Sequence, residues 1–143
     1  MPGPQVHYSL TVQWAIEEGM LQTDAEQVGR ANVEVDAKWP GRRHWGRHFN
    51  PMALTFARGY MAEAVRLELH GDHDGALAAL GRALHSRQDG IGHGSLGLAH
   101  LKYRLGVFRR NPDVWDRMPQ QTRAGIEQAT RTAVRDFLLD TRR

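Results

Sequence analysis

Residues 76–89 read Ala-Leu-Ala-Ala-Leu-Gly-Arg-Ala-Leu-His-Ser-Arg-Gln-Asp, and this stretch decides the fold. It is rich in alanine and leucine, and Leu80, Leu84 and Ile91 recur four and seven residues apart, the spacing of one helix face. A helix is expected from near Asp72–Asp74 through Asp89, with Gly90, Gly92 and Gly94 loosening or ending it. On that helix His85 and Asp89 stand four residues apart and share a face, so an imidazole nitrogen and a carboxylate oxygen can converge on one ion. His93 adds a third candidate ligand one turn later.

Outward from this segment the same three-and-four spacing continues, and the only period-two stretch is Asn32-Val33-Glu34-Val35-Asp36. The chain therefore reads as all-α. A first helix is expected from Tyr8 to Leu21, with Leu10, Trp14 and Ile16 toward the core. Thr23 and Glu26 form a capping-box pattern that starts a second helix running through Val33 toward Asp36. Residues 37–50 read as a loop carrying Trp39, Trp45, His44 and His48. Asn50-Pro51 opens a third helix that reaches His70 and stops at Gly71. A fifth helix is expected from Ser95 to Arg109, then a turn around Trp115, and a last helix from Gln121 to Thr141. Connections this short predict one domain over residues 1–143, a compact bundle of five to six helices.

Composition narrows the chemistry. The 143 residues are 41% hydrophobic and 24% charged, the balance of a globular domain. The chain holds no cysteine and eight histidines, so thiolate metal sites, disulfides and cysteine nucleophiles are excluded, and any metal must be held by His, Asp and Glu. Nineteen basic against sixteen acidic residues leave a net charge of +3, spread along the chain, so no specific nucleic-acid partner is predicted. No apolar run is long enough for a transmembrane segment, and Met1-Pro2-Gly3-Pro4 does not resemble a secretion signal; the expected location is cytoplasmic. His70 and His73 flank Gly71-Asp72 at a helix corner, where capping is the expected role.

Taken together, the pattern resembles the zinc-dependent phospholipase C superfamily, which includes single-strand nucleases. The residues that carry the resemblance are Ala79-Leu80-Gly81-Arg82-Ala83-Leu84-His85-x-x-x-Asp89, a histidine near the start of the first helix, an Asp-x11-His pattern ending at His48-Phe49, and a later His-x-Lys-Tyr. The resemblance implies a phospholipase C-like all-α fold and a zinc cluster that activates water for phosphodiester cleavage. It implies His7, Asp36, His48, His85, Asp89, His93 and His100 as metal ligands, and one or two zinc ions. The chain departs from the family in lacking an N-terminal tryptophan, in the shorter Asp89-to-His93 spacing, and in carrying Arg104 where the family has its final glutamate. Asp36, His48, His85 and Asp89 would make the most complete site.

The function this points to is a zinc-dependent hydrolase acting on a phosphoester, with Asp36 orienting or deprotonating water, Asp89 at the metal, and Arg104, Arg43 or Arg47 holding phosphate charge. Two alternatives stand beside it. The same fold could carry a small-molecule enzyme, a cyclase or dehydratase, or a ligand-binding protein, with a pocket lined by Trp14, Trp39, Trp45 and Trp115. It could also be a helical module in which zinc supplies folding free energy alone.

Overall fold

The computed structural model describes residues 5–38, 52–92 and 115–142. Among them are five α-helices and no strand, so the all-α bundle expected from the sequence is what forms. The helices are α1 (Thr11–Glu17), α2 (Gln22–Lys38), α3 (Met52–Leu69), α4 (His73–Gly92) and α5 (Gln120–Thr141). A π-helical turn, Gln5–Leu10, leads into α1, and a 3-10 turn, Trp115–Arg117, precedes α5. The helix expected over Ser95–Arg109 and the tryptophans and histidines of the 37–50 segment lie outside the described residues.

α4 is the central element, packed on α2, α3 and α5. Its N-terminus is capped by the Asp72 carboxylate, which accepts a bond from the Gly75 amide at 3.0 Å. Small and long side chains then alternate so that neighbouring helices approach it from several sides: Ala76, Ala79 and Ala83 are buried beside Leu77, Leu80 and Leu84. Burial of each leucine is worth about 1.5–3 kcal/mol over leaving it in water. Ala76, Leu77, Ala79, Leu80 and Leu84 join Ala15, Met20, Val28, Ala64, Val134 and Phe137 in one core. A smaller core of Val6, Trp14, Met118 and Ile126, flanked by Leu10, Ile91 and Trp115, ties the N-terminal turn to the start of α5.

Several boundaries differ from expectation. α1 stops at Glu17, not Leu21, because Gly19 takes φ +98° and the Met20 amide turns back to the Ala15 carbonyl at 3.0 Å. Ile16 is accordingly 42% exposed, while Trp14 and Ala15 face the core. The Thr23–Glu26 capping box does not form. Helical bonding already starts at the Leu21 carbonyl, and Glu26 accepts a bond from the Gln22 side chain. α3 ends as expected at Gly71, with Gly71 and Asp72 amides bonded to the Glu68 and Leu67 carbonyls. Gly90 does not break α4, whose last residue is Gly92. Trp14 and Trp115 contact each other, centroids 5.8 Å apart, within the smaller core, so Trp14 is core rather than pocket wall.

Candidate metal centre

Three elements meet at the C-terminal half of α4. Their approach depends on Gly81: a Cβ there would stand 2.6 Å from the Val28 carbonyl oxygen and 2.6 Å from Ala31 Cβ, so a side chain would hold α2 away from α4. One turn further along both helices, Asn32 Oδ1 lies 3.1 Å from His85 Nδ1. One more turn brings Asp36 and Asp89 to the same centre. The π-helical turn delivers His7, and its widened backbone is held by Thr11, whose hydroxyl donates to the Val6 carbonyl at 2.9 Å.

Asp89 sits between the two imidazoles, offering Oδ1 to His7 Nε2 and Oδ2 to His85 Nε2, each at 3.3 Å. Asp36 Oδ1 is 3.6 Å from His85 Nε2. The rings of His7 and His85 stack, with centroids 4.4 Å apart and planes inclined by 28°. His7, His85 and Asp89 are essentially sealed from solvent, whereas the Asp36 side chain is 20% exposed and forms the rim. One donor atom from each of His7, His85 and Asp89 lies within 4.8 Å of the others, and this group could hold a metal ion.

The donor set fits a cation. His7 Nε2 is buried and faces Asp89 Oδ1 at 3.3 Å, longer than a well-formed hydrogen bond. A buried ring nitrogen left without a bond is costly unless something else uses its lone pair. A carboxylate removed from water needs compensating positive charge. The two rings respond differently to this setting. Burial disfavours the His7 cation, but the adjacent Asp89 carboxylate, helped by Asp36 and Gln88, outweighs it and raises the His7 pKa. For His85 burial prevails over the attraction of Asp89, aided by repulsion from His7, and its pKa is lowered.

Of the residues singled out in the sequence, His7, Asp36, His85 and Asp89 are thus brought together. His48, His93, His100 and Arg104 lie outside the described residues, as do Arg43 and Arg47. His70 bonds the Arg66 carbonyl at 2.7 Å, the capping role expected at this corner, whereas His73 pairs with the Glu68 carboxylate at 2.8 Å instead of capping a helix. Sequence reasoning did not single out Asn32, Gln88, Thr11 or Thr130, all buried around the two rings. Their available signal was position: Asn32 is four residues from Asp36, and Gln88 three from His85. No helix among the described residues is long and apolar enough to cross a membrane. In comparisons with known proteins, no family model, curated sequence or solved structure matches the chain.

Proposed function

We propose that this chain is a zinc-dependent hydrolase acting on a phosphoester, built on a phospholipase C-like fold, with His7, His85 and Asp89 holding the metal and Asp36 at its accessible edge. The observation that supports this most is the convergence of two buried imidazole nitrogens on one buried carboxylate. A nitrogen and oxygen donor set without thiolate suits zinc, and two histidines with a carboxylate leave a position open for substrate, as catalytic zinc sites do. One or two ions fit the reading, since Asp89 turns a different oxygen toward each ring.

Bound zinc supplies Lewis acidity, bringing the pKa of water toward neutrality and polarising a phosphoryl oxygen. The chain supplies the rest. His7 and His85 contribute Nε2 from a dry interior, where stacking and packing fix the ring planes. Asp36, the member of the group open to solvent, accepts the proton of the attacking water at Oδ1. The buried wall behind His7 and His85 confines the reaction to the Asp36 side.

The test is metal content by mass spectrometry on tag-free protein purified without chelator, beside His85→Ala. About one or more zinc per chain, lost in the variant, together with chelator-sensitive hydrolysis of an aryl phosphodiester, is the expected result. Protein that takes up no zinc even when it is supplied would overturn the reading.

A further inference from the structure

We infer that Gln88 and Asn32 are positioning residues that keep the single proton of each neutral imidazole on Nδ1, at His7 and at His85, so that both Nε2 lone pairs face Asp89. The inference deepens the metal-centre reading and rests on it for its consequence, but the proton assignment follows from hydrogen-bond accounting alone.

The accounting begins at two backbone carbonyls. The Thr11 hydroxyl donates to Val6 O at 2.9 Å and the Thr130 hydroxyl to Ile126 O at 2.8 Å. A hydroxyl has one hydrogen, so toward the interior both threonines can only accept. Gln88 Nε2 lies 2.8 Å from Thr11 Oγ1 and 3.0 Å from Thr130 Oγ1, which uses both amide hydrogens and turns Oε1 the other way. That oxygen stands 2.9 Å from His7 Nδ1 and 3.0 Å from Asn32 Nδ2. Asn32 Nδ2 sends one hydrogen to Gln88 Oε1 and the other to Thr11 Oγ1 at 3.3 Å, leaving its own oxygen 3.1 Å from His85 Nδ1. An amide oxygen only accepts, so each Nδ1 is bonded only when it carries the hydrogen; the competing acceptor is the Asp89 carboxylate, 3.3 Å from each Nε2, and the amide contacts at 2.9 and 3.1 Å are the shorter, which places the proton on Nδ1.

Reversing either amide breaks more than one bond. A flipped Gln88 would set its oxygen against two hydroxyls whose hydrogens are committed to carbonyls, and its NH2 against the NH2 of Asn32. Thr11, Asn32, Gln88 and Thr130 are all at most 1% exposed, so solvent does not repair the loss. The two amides are therefore oriented by the backbone of the N-terminal turn and of α5, through the threonines. Histidines that ligate metals through Nε2 have their other nitrogen held in this manner, and loss of such a partner lowers metal affinity about 10- to 100-fold.

The first measurement is two-bond proton–nitrogen NMR of the metal-free wild-type protein, at a pH alkaline enough that both rings are neutral. His7 and His85 are expected to show protonated Nδ1 and bare Nε2; an Nε2–H form at either ring would overturn the inference. The second uses Gln88→Met, which keeps length without the acceptor. Gln88→Met is expected to release the His7 tautomer and weaken zinc binding about 10- to 100-fold. A folded Gln88→Met protein with unchanged tautomer and zinc affinity would also overturn it. If Gln88→Met does not fold, the wild-type spectrum decides. Fixed tautomers in a protein that takes up no zinc would support the positioning role and overturn the metal centre instead.

Discussion

His7 and His85 stack and share one carboxylate, so in the metal-free protein a second positive charge on the pair meets the first. At His7 burial is outweighed by Asp89, and at His85 burial prevails with repulsion from His7 adding to it; these opposed pKa shifts give a pH dependence whose sign follows from linkage. The raised pKa of His7 contributes stability that is complete below the ordinary histidine value and is lost as pH rises through the raised one. The lowered pKa of His85 contributes stability that is complete above the ordinary value and is lost as pH falls through the depressed one. Because the rings titrate as a pair, the two limbs belong to the pair. Urea unfolding of chelator-treated protein, repeated across about pH 5 to 9, should show stability falling on both sides of the ordinary histidine pKa. His85→Asn is expected to flatten the acid limb and His7→Gln the alkaline one; unchanged limbs would show that neither ring governs them. How far the site is legible in the sequence follows from the range of each interaction. His85 and Asp89 are readable because four-residue spacing on a helix is a local fact. His7 and Asp36 are reached only through a family resemblance, since their partners lie on other elements. Asn32, Gln88 and Thr11 leave no pattern, because an amide or hydroxyl becomes significant only through what it faces.

At the scale of elements, the crossing of α2 on α4 is the step that assembles the site, and two glycines of α4 separate its requirements. Gly81→Ala would drive Cβ into the Val28 carbonyl, and backbone gives way less readily than a side-chain tip. The expected cost is about 1–3 kcal/mol in chemical denaturation, the range for overpacking, with weaker zinc binding because Asn32 is displaced from His85. Gly90→Ala meets only ordinary contacts, at 3.6 Å from Leu54 and 3.7 Å from Ala53, and lies inside the helix. It should stabilise by about 0.5–1 kcal/mol through helix propensity. If both variants shift stability the same way, the close crossing is not what Gly81 provides. The contrast also explains what the sequence conceals about the fold. The α4 and α5 starts, the Gly71 stop and the all-α class are legible because periodicity and capping act within a few residues. Gly81, Gly90 and Gly92 look alike as letters, and only the position of α2 makes one a close contact. The end of α1 at Glu17 is missed because apolar periodicity continues past Gly19, whose backbone has already turned.

Across the whole molecule, the candidate metal centre joins the N-terminal turn, α2 and α4, and these elements also meet in apolar contacts that do not involve it. The larger core and the smaller Trp14–Ile126 core are packed without it. On the outside, Arg131 binds Glu17, Glu18 and Glu127, and Arg135 binds Glu18, tying the end of α1 to α5. Exposed pairs of this kind are individually weak and screened by salt, but they close the same side of the bundle that the apolar core fills. Chelation is therefore expected to leave the helical circular dichroism at 25 °C intact while lowering Tm. A ligand that binds only the folded state adds about 2.7 kcal/mol when its free concentration is 100-fold above Kd, on the order of 10 °C for a domain this size. Zinc added back should restore that shift in wild type and not in His85→Ala, as read by thermal melting at fixed protein concentration. Loss of helicity on chelation alone would mean that zinc is part of the folding free energy. The chain would then be better described as a metal-stabilised module than as a hydrolase whose scaffold stands without its metal.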